Sequence, residues 1–496
     1  METMTSDSVH VRKIDDVYAF VECDRAIAHE LNDYFSFYAK DFQFTPAYEN
    51  KLWDGKIRLY EMMLSRIYGG LVPYIKKFCK QRGYQFSEEY TNENPITPQE
   101  VANFVIKGLN IHSGGNPITP RDYQLFSVYK AIKNKRALIL SPTASGKSLV
   151  IYSIIRYMSA MNHDTLIVVP TTSLVEQMYT DFEDYSNDQW EVEKYCHRIY
   201  SGKEKNLKKR VVISTWQSIY KMPVKWFKRF RCVIGDECHG FKADSLKAIM
   251  TKLQNADYRI GCTGTLDDTH VHKLVLEGLF GPVFQVITTK ELMDRGEVSK
   301  LKIKCIDLQY PEEECKEVLK MKYADEVSYI VGHTKRKDVM KNIILRMKGN
   351  TLVLFQRIEH GKTLFNEINT SRKGGTHFVY GGTDTEIREA IRQIIEKESK
   401  AILFASYGTF SVGVNIKRID NVVFYSSYKS KIKILQSIGR GLRMYKDDCS
   451  VTLYDVVDNF TMKNNSKKNY AVQHFLKRIE LYNNESFDYS IQTINL

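Results

Sequence analysis

Lys147 and Ser148 close the run Ser141-Pro142-Thr143-Ala144-Ser145-Gly146-Lys147-Ser148, which follows the apolar stretch ALIL and precedes the helix-patterned LVIYSII. A strand-to-helix turn of this composition suits a nucleoside triphosphate. Backbone N–H groups at a helix N-terminus cradle phosphate, a lysine reaches the β and γ phosphates, and the following hydroxyl can ligate Mg²⁺. Thr143, Ala144 and Ser145 would form the cradle, and Gly146 would let the backbone come close. Ser141 stands where the general pattern has glycine; the plain alternative is a tight turn with a solvated lysine.

A second group, CVIGDECH, ends an apolar strand in Asp236 and Glu237, 89 residues after Lys147. Successive strand side chains diverge, so Asp236 can hold Mg²⁺ while Glu237 turns toward a water as general base. Farther on, KILQSIGRGLRMY puts Gln436, Arg440 and Arg443 at i, i+4 and i+7, one face of a helix. Arginines there could neutralise charge on a transferring γ-phosphoryl group when a second domain closes on the first. A solvated basic helix is the competing reading of that segment.

The elements that must position these groups alternate. ALILS, TLIVVP, VVIST, CVIGDE and RIGCTG are short buried-strand runs from Asp122 to about Thr289, and TLVLFQ, HFVYGG, AILFAS, NVVFYSS and VTLYDVV repeat the rhythm afterwards. Such runs separated by amphipathic helices, Asp384 to Lys397 among them, predict parallel sheets covered on both faces, hence two doubly wound α/β domains in tandem. Residues 1–112 read as a small α+β domain with a strand at Val17 to Val21, a helix from about Asp24 to Phe37 and another in LVPYIKKFCKQRGY. HSGGNPITPRDYQ reads as a linker. The expected units are 1–112, 113–298, 299–460 and a basic extension, 461–496, with Tyr470, Phe475, Leu476 and Ile479 at helical spacing.

With 72 Lys and Arg against 59 Asp and Glu, the formal charge of +13 favours a polyanionic partner. Nine scattered cysteines without a C-x-x-C pair disfavour a structural zinc site or disulfide framework and fit a reducing cytosol. No apolar run is long enough to span a bilayer, so no membrane role is expected.

Taken in order, these motifs resemble those of superfamily 2 helicases across residues 121 to about 460. RDYQ, SPTASGKS, VVPTTSLVEQM, ISTWQS, DECH and TGT are followed by LVLFQRIEHG, ILFASYGTFSVGVNIK and QSIGRGLR. The resemblance implies RecA-like domains, ATP and Mg²⁺ as cofactors, adenine recognition by Tyr123 and Gln124, and a further nucleotide contact at Gly413. It also implies coupling through Thr263 and Thr265, in a Thr-Gly-Thr where Ser-Ala-Thr is commoner. FTPAYENKLWDGKIRLYEMM, PVKWFKRF and FDYSIQTINL are similar to the UvsW family of recombination and repair helicases from T-even-like phages. That implies action on Holliday junctions, stalled forks and R-loops in an infected bacterial cytoplasm, with a small basic N-terminal domain helping to bind duplex arms.

In such an enzyme the strand tips grip nucleic acid: Thr171, Thr172, Thr215 and Trp216 in the first α/β domain, and Gln356, Arg357, Gly381 with Gly382, and Ser406 in the second. Each threonine also suits a plain helix N-cap. His239 would link the ATP and nucleic-acid sites. KEKNLKKR and KMPVKWFKRFR read as solvated surface, with Trp226, Phe227 and Phe230 packed inward, and Trp53 reads as a core anchor in preference to a base-stacking residue. Two other functions fit the same motifs: the motor subunit of a restriction nuclease, and a strand-annealing protein with a vestigial ATPase. DNA against RNA–DNA hybrids, a small partner protein and the oligomeric state, a monomer included, are left open by the sequence.

Overall fold

The computed structural model describes residues 7–39, 42–89, 93–205, 208–240, 243–266, 270–372, 374–409, 416, 418–426, 430, 450–462 and 467–496. The chain forms two compact units, one of residues 1–141 and 145–286, the other of residues 142–144 and 287–496.

The first unit begins with a five-stranded sheet in which Ser8–Lys13 pairs antiparallel with Tyr18–Cys23 and parallel with Gln85–Glu88. Alternation buries Val9, Val11, Ala19 and Val21 on one face. Helix Arg25–Tyr34, N-capped by Asp24, and helix Val72–Arg82 cover that face with Ile27, Leu31, Ile75 and Phe78. This sheet shares its core with the α/β domain that follows. Tyr74 donates to Glu277 Oε2 at 2.6 Å, Asp16 N donates to Gln254 O at 3.0 Å, and Arg136 donates to Asp16 O. Backbones meet closely at Gly70, where an added Cβ would lie 2.0 Å from Glu277 O. Gly70→Ala is therefore expected to destabilise this unit by about 1–3 kcal/mol through overpacking, read as a fall in its thermal midpoint.

Residues 93–117 belong to the α/β core more than the sequence suggests. Val101, Val105, Leu109 and Ile111 pack with Val128, Ile151 and Ile155, and Asn94 Nδ2 donates to Tyr258 OH at 3.1 Å. The glycine-rich stretch read as a linker is a small hairpin, His112–Ser113 against Asn116–Pro117, turning on Gly114 and Gly115 at φ +59° and +79°. Asp184 pins it by accepting from Gly114 N at 2.8 Å.

The α/β domain is a seven-stranded sheet, all parallel, in the order Cys196–Ile199, Val211–Thr215, Asp164–Val169, Phe230–Asp236, Tyr258–Thr263, Arg136–Leu140, Val283–Gln285. Its five inner strands are those read from the sequence; the two outer ones are short and less apolar, which hid them.

The second unit holds another seven-stranded parallel sheet, ordered Thr376–Val379, Ile402–Ser406, Thr351–Phe355, Asn421–Phe424, Ser450–Asn459, Lys300–Gln309, Tyr489–Asn495. The stretch expected as an appended helical tail does contain a helix, Tyr470–Asn484, yet it is built into the fold. Arg478 is buried against Asp455 at 2.8 Å, and the last strand pairs with Lys300–Gln309 over seven residues. A basic residue of the tail thus neutralises a buried carboxylate. Among the described residues no helix is long and apolar enough to cross a membrane.

Candidate nucleotide site and nucleic-acid edge

Three adjacent strands of the first α/β sheet end together. Phe230–Asp236 delivers the carboxylates, Tyr258–Thr263 delivers Thr263, and Arg136–Leu140 runs into the phosphate loop, whose Ser141 N donates to Thr263 O at 2.9 Å. Ligands of open parallel sheets bind outside these carboxyl ends.

The loop is held open by its own side chains. Ser141 Oγ donates to Ser145 Oγ at 2.6 Å, so the serine in place of glycine braces the turn. Ala144 and Gly146 adopt φ of +70° and +80°, turning successive N–H groups inward before helix Lys147–Ala160 begins. Gln124 locks the far side: its Nε2 donates to Ser145 O at 2.8 Å and its Oε1 accepts from Arg121 N at 2.9 Å. The amide expected to read adenine therefore also fixes the phosphate loop. Tyr123 is buried, its hydroxyl accepting from Arg121 Nη1 at 2.9 Å. An added Cβ at Gly146 would sit 2.3 Å from Gln124 Nε2.

Lys147 Nζ lies 3.2 Å from Ser141 O and 3.6 Å from Glu237 Oε1, so the expected lysine and carboxylate come together across 89 residues of sequence. Glu237 is not a continuing strand residue; its φ of +48° places it in the left-handed region, a strained conformation for a side chain of this size. The turn aims its carboxylate at Lys147 on one side and at His239 Nδ1, 3.4 Å away, on the other. His239 Nδ1 also meets Thr263 Oγ1 at 2.6 Å, and Thr263 Oγ1 donates to Thr265 O at 2.7 Å. A continuous polar chain joins Lys147, Glu237, His239, Thr263 and Thr265.

Asp236 is buried, and its Oδ1 has no hydrogen-bond partner among the described residues. Burial, with the Glu237 carboxylate beside it, pushes its carboxyl well above the usual carboxylate range against the opposing pull of Lys147. A buried oxygen without a donor is suited to a hard cation. Mg²⁺ is ordinarily held by one or two protein oxygens plus substrate phosphates, a donor set Asp236 and Ser148 can supply. Ser148 Oγ contacts Tyr185 OH at 2.9 Å, a neighbour no sequence motif announced.

The same edge carries the nucleic-acid tips expected in the first α/β domain. Thr171 caps helix Thr172–Ser186, accepting from Leu174 N at 3.4 Å, and Thr172 is exposed. Thr215 ends its strand with Oγ1 2.9 Å from Ser218 Oγ, and Trp216 packs edge-on to Tyr220. In the second unit, Gln356 and Arg357 are exposed after Thr351–Phe355, Gly381 and Gly382 are exposed after Thr376–Val379, and Ser406 Oγ lies 2.7 Å from Thr409 Oγ1. Gly413, Gln436, Arg440 and Arg443 lie outside the described residues. Trp53 is a turn anchor, its Nε1 donating to Lys56 O at 2.9 Å.

Residues 8–89 match the family model described as the N-terminal domain of DNA helicase UvsW, residues 117–268 that of the type III restriction enzyme res subunit, and residues 334–445 that of the helicase conserved C-terminal domain. Over 495 residues the chain is 34% identical to the ATP-dependent DNA helicase UvsW of Enterobacteria phage T4, covering 96% of this chain and 97% of that protein. The chain belongs to the UvsW-type helicases of superfamily 2. The crystal structure of T4 UvsW aligns with a TM-score of 0.54 at 31% identity over 98% of this chain and 99% of that one. A type I restriction HsdR fragment from Vibrio vulnificus, 17% identical over 85% of this chain and 74% of its own, shares the fold with a TM-score of 0.57.

As a UvsW-type enzyme the chain is an ATP-dependent helicase. One expectation attached to that family fails on composition. Residues 8–89 hold 12 Lys and Arg against 12 Asp and Glu, so the N-terminal domain is not basic.

Proposed function

We propose that this UvsW-type helicase is an ATP-driven motor that unwinds or migrates branched DNA, including Holliday junctions, stalled forks and R-loops, in the cytoplasm of an infected bacterial cell. The observation that carries this reading is the polar chain from Lys147 through Glu237 and His239 to Thr263, at the strand edge that also bears Thr171 and Thr215. ATP chemistry and nucleic-acid contact then share one set of strand ends.

In this reading Lys147 neutralises the β and γ phosphates, the loop from Thr143 to Gly146 donates N–H groups, and Tyr123 with Gln124 faces the adenine. Ser148 and Asp236 would hold Mg²⁺, which would supply neutralisation of phosphate charge. Glu237 positions the attacking water and takes its proton, its orientation fixed by Lys147 and His239. Thr263 and Thr265 carry the change in phosphate charge to the strand ends. Gln436, Arg440 and Arg443, with Gly413, would neutralise the transferring phosphoryl group.

Arg440→Ala is expected to keep ATP affinity within a few-fold while turnover falls about 10²-fold or more, measured by nucleotide binding and steady-state hydrolysis. Full turnover would remove Arg440 from the catalytic set. The substrate is tested by ATPase stimulation across single-stranded, duplex, fork, four-way junction and R-loop DNA at fixed salt. Branched substrates should stimulate most. Equal stimulation by all would sink the branch preference, cleavage with Mg²⁺ and ATP would favour a restriction motor, and equal remodelling with and without ATP would favour strand annealing.

A further inference from the structure

The charge of this chain is concentrated in one segment. Between His197 and Gly235 there are 11 Lys and Arg and one acidic residue, Glu204, a surplus of ten in a chain whose total is +13. The strand tips assigned to nucleic-acid contact use none of these side chains.

Acidic neighbours account for part of the set: Arg198 pairs with Glu176 at 2.5 Å, Arg229 with Asp164 at 2.8 Å and Arg231 with Asp257 at 3.2 Å. Lys203, Lys205, Lys208, Lys221, Lys225 and Lys228 are exposed and have no carboxylate partner among the described residues. Lysine runs usually float on flexible loops, but these are fixed to the domain. Trp226 Nε1 donates to Lys205 O at 3.1 Å, laying the loop after Cys196–Ile199 against the turn that carries Lys225 and Lys228. Trp226 is seated by ring contacts with Phe227 and Phe230, at 4.8 and 5.1 Å. Arg229 donates to Lys209 O. Lys252 Nζ donates to Tyr220 O at 2.7 Å and Met222 O at 2.9 Å, holding the turn at Lys221. Arg229, paired with Asp164 and bonded to Lys209 O, sets this part of the surface beside the starts of strands Asp164–Val169, Val211–Thr215 and Phe230–Asp236, at the end of the sheet away from the Thr215 tip.

We infer that this surface, on the flank of the first α/β domain and centred on Lys205, Lys225 and Lys228, is a binding site for the phosphate backbone of a duplex DNA arm. The inference rests on the proposed action on branched DNA. Exposed ammonium groups carried on an anchored backbone, without a carboxylate partner among the described residues, can pair with phosphates, and release of the DNA's counterions drives association. The N-terminal domain is charge-balanced overall, whereas the segment from His197 to Gly235 carries a surplus of ten, three of its arginines being offset by Glu176, Asp164 and Asp257.

The test replaces Lys205, Lys225 and Lys228 together by glutamine in the full chain. Binding to a four-way junction with duplex arms of about 20 bp is followed against salt, with the ATPase kcat at saturating single-stranded DNA as companion. The slope of log K against log salt should fall by about 3, roughly 0.9 per lost contact, junction affinity should fall at least about tenfold, and the single-strand kcat should hold. A charge-matched control, Lys76→Gln with Lys77→Gln and Lys80→Gln on the N-terminal helix, should leave the slope within about one unit. An unchanged slope in the Lys205 variant, or an equal fall in the control, overturns the assignment. A parent enzyme that neither binds the junction nor hydrolyses ATP on DNA would sink the proposed function itself, a distinct result.

Discussion

Lys147→Ala is expected to lower DNA-stimulated ATP turnover by at least about 10²-fold with little loss of folded structure. Among its contacts, the ammonium donates to Ser141 O and approaches Glu237 Oε1 at 3.6 Å, with both side chains partly solvated. Its contribution to folding is therefore of order 1 kcal/mol, a shift of about 2–4 °C for a unit of this size. The loop retains its shape because Ser141, Ser145 and Gln124 brace it independently of Lys147. In the reaction the same ammonium would stand against the β and γ phosphates, where charge develops in a poorly solvated site. Its removal also frees Glu237 from one of the two cations or donors that aim it. Turnover is measured with and without DNA, and folding by circular dichroism and thermal midpoint. Undiminished turnover would remove this loop from the ATP site; a fall of more than about 10 °C would show the residue to be a structural one.

Much of this site is legible in the sequence because its parts are short and local. A phosphate loop is eight contiguous residues, and Asp236 and Glu237 close a strand whose apolar run announces it. The inner strands of the first sheet and four of the five in the second are readable for the same reason, being largely apolar runs, whereas inner strand Lys300–Gln309, partly exposed and interrupted by lysines, is not. Long-range relationships are not. Nothing local tells that Gln124 reaches Ser145, that Tyr185 stands over Ser148, or that Glu237 leaves the strand at φ +48°. The closing strand Tyr489–Asn495 is an edge strand with an exposed face and no continuous apolar run, and it is recognisable only from its pairing with Lys300–Gln309. The basic stretch from KEKNLKKR to KMPVKWFKRFR illustrates the converse. Its charge is visible in the sequence, but the Trp226–Lys205 bond that gathers the lysines onto one surface is not.

Asp458→Ala is expected to cost the second unit about 3–5 kcal/mol, the usual penalty for leaving a buried charge unpaired. Asp458 and Arg336 are each about 1% exposed. The carboxylate accepts from Arg336 Nε at 2.5 Å, Arg336 Nη2 at 3.1 Å and Tyr310 OH at 2.7 Å. The guanidinium also donates to Tyr425 O at 2.8 Å, lies 4.6 Å from the Tyr425 ring and meets His360 Nε2 at 3.2 Å. Burial, then the charges of Arg336 and Arg357, push His360 down to about 2, so it stays neutral and can accept from Arg336 through Nε2. The opposite ring nitrogen then donates to Ser426 Oγ at 3.0 Å, and Ser426 Oγ accepts from Gln356 N at 3.2 Å. Loss of Asp458 therefore unbalances a network ending at the Gln356 tip. Arg336 cannot escape by deprotonation, because guanidinium stays charged at any working pH, so it must draw in water or pull out of the core. Hydrogen exchange in strands Thr351–Phe355 and Ser450–Asn459 should accelerate by about 10² to 5 × 10³-fold, the equivalent of that loss. Strand Arg136–Leu140 of the first unit should keep its protection. Adding Arg336→Met to Asp458→Ala removes the stranded charge and should recover much of the protection. Equal exchange in the single and double variants would mean that pairing of Arg336 is not what Asp458 contributes.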